Sequence, residues 1–174
     1  MLLNPGDHVC ALYRNDQQLT EIVAPFLAEG LRRGERCWYL PAGNEEALMS
    51  RALEREGVRV AQDMKRNALA ILSSNAAYGV RGDFDPEETM RVFSDAIEQA
   101  LSDGFSGFRA AANMSWALNL ANGTERLIEY EALLRSLFST ARNRAVPLRP
   151  QSNAARGDRW CARHSPIGAN VQDM

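Results

Sequence analysis

The run Asp7-His8-Val9-Cys10-Ala11-Leu12-Tyr13 constrains the fold more than any other stretch. It is short and largely apolar, and it breaks at Arg14-Asn15-Asp16. Apolar residues then recur at spacings of three and four: Leu19, Ile22, Val23, Phe26, Leu27, Leu31. A strand, a tight turn and an amphipathic helix in that order open an α/β domain. The turn after the first strand of such a domain lies beside the ligand crevice. In nucleotide-binding versions it is glycine-rich, so that backbone N–H groups can cradle phosphate. Here the turn holds no glycine. The chain has the order of a nucleotide-binding architecture with the phosphate cradle absent.

The rest of the chain repeats the alternation. The first helix is expected over 16–33, capped by Asn15 or Asp16, with Pro25 set to kink it or shift a boundary and Gly34 to end it. Strands are expected at Arg36–Leu40, Ala68–Leu72 and Phe108–Ala112. Helices are expected at 44–56, at 60–66, from Pro86 to Asp103-Gly104, and from Thr124 onward. Asp85-Pro86-Glu87-Glu88 is a strong helix start, with Asp as N-cap and Pro in the first position. Strands alternating with long helices imply a mostly parallel sheet with helices on both faces. Ligand contacts then come from the C-terminal strand ends: Tyr13-Arg14, Leu40-Pro41, the loop from Ser73 to Tyr78, and Asn113 to Trp116.

Composition narrows the function. With 45% hydrophobic and 24% charged residues among 174, the chain is globular and suits one sizeable core. A formal net charge of −2 argues against a whole-domain nucleic-acid footprint. No apolar run approaches the roughly 18 residues of a membrane span. Met1 to Gly6 is too short and uncharged for a signal peptide. Cys10, Cys37 and Cys161 are too widely spaced for a disulfide framework or zinc knuckle, so a reduced, cytoplasmic protein is the expectation.

Several residues could carry chemistry. Tyr13, Tyr78 and Trp116 could wall an apolar pocket at the sheet edge, or simply pack in core and loop. Arg14 could hold an anion at the first helix N-terminus, or be a solvated loop residue. His8 and Cys10, two apart on a strand, share a face and could ligate a metal. Two ligands are too few, and a buried Cys beside a hydrogen-bonded His is the plainer reading. Glu129 and Glu131, two apart on a helix, do not face each other, so no paired-carboxylate site is expected. There is no nucleophile elbow, no His-Glu-x-x-His and no Gly-x-x-x-x-Gly-Lys-Ser/Thr, so no catalytic residue and no cofactor is expected.

A family resemblance rests on several motifs in order. These are Gly6-Asp7-His8-Val9-Cys10; Ala24-Pro25-Phe26-Leu27-Ala28-Glu29-Gly30-Leu31-Arg32-Arg33-Gly34-Glu35-Arg36-Cys37; Gly82-Asp83-Phe84-Asp85-Pro86-Glu87; Asn113-Met114-Ser115-Trp116-Ala117-Leu118; and Glu129-Tyr130-Glu131. Together they resemble the MEDS domain, the methanogen/methylotroph DcmR sensory domain, over about Asn4 to Thr140. The resemblance implies a RecA/KaiC-like α/β fold without a working phosphate loop. It implies a module that senses small molecules such as hydrocarbon derivatives and works with histidine kinases or transcription regulators. Family members often carry Glu where this chain has Asn113. If that carboxylate meets ligand, this chain loses a charge there.

The tail reads differently, so the chain divides into a sensory domain over 1–141 and an atypical tail over 142–174. Arg142, Arg144, Arg149, Arg156, Arg159 and Arg163 stand against Asp158, and apolar periodicity ends. The fold needs a further strand and helix here. The family has them, in the form Cys-x-Tyr-Asp and, some residues on, Thr-His-Pro. Read one nucleotide later, codons for Val146 to Ser165 can encode Cys-Leu-Tyr-Asp-Arg-Asn-Arg-Met-Pro-Leu-Glu-Val-Ile-Asp-Gly-Ala-Leu-Ala-Thr-His. Compensating frameshifts near Arg142–Ala145 and Ser165–Pro166 would explain the segment 143–165. As written, the terminal strand and helix are expected to be lost or disrupted, because Pro147 cannot donate within a central strand.

The expected function is therefore a non-enzymatic sensory module that binds a small molecule through Tyr13, Arg14, Tyr78, Asn113 and Trp116. It would signal to a kinase or transcription regulator, with no membrane or direct nucleic-acid contact. Two rivals stand beside it: a degenerate KaiC-like nucleotide-binding protein, and a structural module that pairs, for instance as a homodimer, through its sheet edge or helices.

Overall fold

Among the described residues, ten regular elements and one short 3-10 turn follow the expected alternation. The computed structural model describes residues 7–72, 84–119, 122–140 and 143–150. Strand β1 is Ala11–Tyr13 and helix α1 is Asp16–Arg32. Then come β2 (Arg36–Leu40), α2 (Glu46–Arg55), α3 (Val60–Lys65) and β3 (Leu69–Ile71). Helix α4 (Pro86–Ser102), β4 (Phe108–Asn113), the 3-10 turn Ser115–Asn119, α5 (Gly123–Thr140) and β5 (Asn143–Pro150) complete the order.

The five strands form one sheet in the order β1-β5-β4-β2-β3, and every pairing is parallel. Both faces are covered. Leu19, Val23 and Leu27 of α1, with Met49 and Leu53 of α2, pack on one face. Phe93 and Ile97 of α4, with Leu127, Tyr130 and Leu134 of α5, pack on the other. Strand β4 is buried at every position, as a strand sandwiched between two helical layers must be. Its run Ala110-Ala111-Ala112 has small side chains and leaves room for both layers.

The path of the chain decides where a ligand can sit. From β1 to β2 and on to β3 the chain moves one way across the sheet, with its helices on one face. From β3 to β4 and on to β5 it moves back, with its helices on the other face. Reversing direction and face together is what a uniform handedness of parallel crossovers requires. Strands β2 and β4 are neighbours, yet their outgoing loops leave to opposite faces, which opens a crevice at their C-terminal ends.

Three details differ from expectation or resolve it. Helix α1 runs unbroken through Pro25. Pro25 and Glu21, whose carbonyl loses its helical partner, both lie on the exposed side, where water can satisfy that carbonyl. Asn15 rather than Asp16 is the N-cap, its side chain accepting from the Gln18 N–H at 2.9 Å. The terminal strand is present rather than lost: β5 lies between β1 and β4, with Pro147 level with Ala112 and Pro150 level with Tyr13. The sheet thus takes in residues beyond the expected boundary at 141. The extended φ of proline fits a strand, and the disruption is confined to two missing N–H donors in a central position. The helix expected beyond it falls in 151–174, outside the described residues.

Candidate functional site at the reversal of the sheet

The crevice between β2 and β4 is lined by polar side chains delivered from three strand ends. Asn113, the last residue of β4, is fully buried and donates through Nδ2 to Glu45 Oε1 at 2.8 Å. Tyr39 of β2, also fully buried, donates its phenol hydrogen to Glu45 Oε2 at 2.8 Å. The Ala42 N–H donates to the same oxygen at 3.3 Å. The Ser115 N–H closes the other side, donating to Asn113 Oδ1 at 3.2 Å. Tyr13, at the end of β1, completes the group, with Asn113 and Ser115 as side-chain hydrogen-bond partners.

Electrostatics tie the group together. Burial raises the Tyr13 phenol above its usual pKa, and the negative charges of Glu45 and Asp16 push the same way. The hydrogen bonds to Asn113 and Ser115 work against them. Burial likewise pushes Tyr39 far above the usual phenol range, aided by the charge of Glu45 and by the hydrogen bond that keeps its proton in place. Both phenols remain neutral donors at physiological pH.

The expected site residues part company here. Tyr13 and Asn113 come together, though β5 separates their strands. Arg14 is exposed beside them, and its backbone N–H is taken by Gln18 Oε1 at 2.8 Å. With Asn15 accepting from Gln18 N–H in return, the chain's own side chains take two of the N–H groups at the start of α1. Trp116 turns to the opposite face, edge-on to Phe84 with ring centroids 5.3 Å apart, in the core beneath α4 and α5. Tyr78 lies outside the described residues.

His8 and Cys10 do not share a strand face. Strand β1 begins only at Ala11, and His8 makes an isolated bridge. Its Nε2 lies 3.5 Å from Glu131 Oε2 of α5, while Cys10 is half-buried. No group of three or more metal-ligating side chains is found among the described residues.

Glu45 is the site residue that sequence reasoning missed. Asn44-Glu45-Glu46 after Pro41-Ala42-Gly43 reads as an ordinary acidic helix start. Yet Glu45, at the N-cap position of α2, makes no side-chain capping bond. Its carboxylate turns back to the strand ends. The charge expected to be missing at position 113 is thus supplied by a neighbour that Asn113 itself holds. A second concavity, between α1 and α2, is lined by Gln17, Thr20, Glu21, Ala24, Leu48 and Ala52. It has no comparable buried polar set.

Known proteins bear on this geometry. The chain matches a solved KaiC-like protein of the hyperthermophilic archaeon Pyrococcus horikoshii OT3 with a TM-score of 0.58 and 14% identity. The match covers 84% of this chain and 62% of that one, so the chain spans less than two thirds of that protein's length. An uncharacterized protein from Pyrococcus horikoshii, solved in complex with an unknown peptide, matches with a TM-score of 0.62 and 16% identity, over 85% of this chain and 70% of that one. At such identities the likeness is one of fold, and that fold is KaiC-like. No curated protein matches the chain. The model of the MEDS family, the MEthanogen/methylotroph, DcmR Sensory domain, matches residues 7–146. That match spans most of the chain and, with a KaiC-like parallel sheet whose first turn holds no glycine, places the chain in the MEDS family of sensory domains.

Proposed function

We propose that this chain is a non-enzymatic sensory module. It binds a small molecule in the crevice between β2 and β4 and passes its bound state to a histidine kinase or transcription regulator in the cytoplasm. The observation that carries the reading is the hydrogen-bonded set Tyr39–Glu45–Asn113, in which two fully buried side chains hold a half-buried carboxylate at the C-terminal end of the sheet. Buried polar networks are costly unless satisfied, and their satisfaction here fixes the positions of two loops at once. Those segments, 41–45 and 114–119, precede α2 and α5, so a ligand between them acts on both helical layers. Among the described residues no helix is long and apolar enough to cross a membrane.

The degenerate nucleotide-binding alternative is separated by calorimetry with MgATP. The sensory reading predicts no saturable heat, because the turn between β1 and α1 holds no glycine to bring backbone N–H groups onto a phosphate. A micromolar dissociation constant for MgATP would overturn it. A purely structural role is separated by thermal shift: a saturable rise in melting temperature with small organic compounds supports sensing, by linkage of binding to stability.

A further inference from the structure

We propose that the crevice selects a small organic cation, a primary alkylammonium, with Glu45 as its counter-ion. The proposal rests on the reading of the crevice as the ligand site and deepens it. Three neutral donors, Tyr39 OH, Asn113 Nδ2 and Ala42 N–H, hold the two oxygens of Glu45. A carboxylate offers about four acceptor directions, so roughly one remains open. Among the described residues, no lysine, arginine or histidine forms an ion pair with Glu45. A half-buried carboxylate without a counter-ion has given up hydration that neutral donors return only in part. A cation delivered by the ligand would return the rest.

The surroundings favour the same chemistry. Glu45 forgoes the cap of its own helix to face the strand ends, so its placement serves the crevice rather than α2. Tyr13 and Tyr39 stand on the same face of the sheet and both feel the negative charge of Glu45 and Asp16. An anion would meet the like charge of Glu45. A neutral apolar ligand would cover Glu45 without giving it a partner.

The test compares n-butylammonium with 1-butanol, which share a carbon skeleton and differ in charge. Binding is followed by calorimetry and by amide chemical shifts, on the full chain and on Glu45→Gln. The expected result is about tenfold tighter binding of the ammonium by the wild-type chain, a margin a charge-assisted hydrogen bond readily supplies. Glu45→Gln should abolish that preference. Equal or tighter binding of 1-butanol by the wild-type chain would overturn the cation proposal and leave the sensory reading standing. So would a preference that survives Glu45→Gln. Crevice amides that respond to neither compound would overturn the reading of the site itself.

Discussion

Arg109 shows what a single residue does in this fold. It is a fully buried cation in the central strand β4, its Nε donating to Glu35 at 2.6 Å and its Nη1 to the Phe26 carbonyl at 2.6 Å. Its guanidinium also lies over the Phe26 ring, 4.5 Å from the centroid. Removing either partner would strand a buried charge, so Arg109 locks α1 to the sheet. Gly30 makes the lock fit: a Cβ there would meet Arg109 Nε at 2.6 Å and Cys37 Sγ at 2.7 Å. Gly30→Ala is expected to cost about 1–3 kcal/mol in urea unfolding despite the better helix propensity of alanine, because the overlap falls on a pinned side chain. The tyrosines give a second prediction. In the unfolded chain their phenols ionise near pH 10, and in the folded chain Tyr13 and Tyr39 ionise above that. Above about pH 10 the folded state keeps protons that the unfolded state has lost, so stability falls as pH rises. Tyrosinate absorbance should show Tyr13 and Tyr39 ionising at higher pH in the folded than in the unfolded chain. Tyr13 and Asn113 were legible in the sequence because strand ends are. Glu45 was not, because nothing local tells an N-cap carboxylate from one that turns back to a neighbouring strand. For Trp116 the sequence left pocket wall and core packing open, and the 3-10 turn after β4 sets it against Phe84 in the core.

At the scale of elements, the helices were easier to read than the strands. Helices α1 and α4 carry caps, stops and apolar stripes within their own sequence, whereas β1 and β3 are three residues each and owe their extent to neighbours. Asn15→Ala should cost about 1 kcal/mol through the lost cap on α1. It should also disturb the Tyr13 turn, visible as a change in the Tyr13 environment. Strand β5 supplies the sharper test. Pro147 leaves one ladder position without a donor in the middle of the sheet. Pro147→Val restores that N–H and should raise stability by about 1 kcal/mol in the same unfolding assay. An unchanged or lower midpoint would mean that the ladder at this position does not need the donor.

The whole molecule divides at β5. The MEDS match ends at residue 146, within that strand and where the shifted reading begins to yield family-like residues. Two prolines and two arginines in a strand flanked on both sides fit poorly with the apolar runs of β2 and β4. The tension falls where apolar periodicity leaves the sequence, so the fold was legible to that point and not beyond it. Nucleotide sequencing across codons 138 to 172 should show the shifted frame through this segment, and a gene that encodes Arg142 to Ser165 as written would remove the frameshift explanation. The functional reading is decided elsewhere, by amide hydrogen exchange of the chain with and without saturating n-butylammonium. Protection is expected in peptides covering 12–16, 40–46 and 112–117, where β1, β2 and β4 end around Glu45. Protection confined to the α1–α2 concavity, with these three segments unchanged, would contradict a ligand site at the reversal of the sheet.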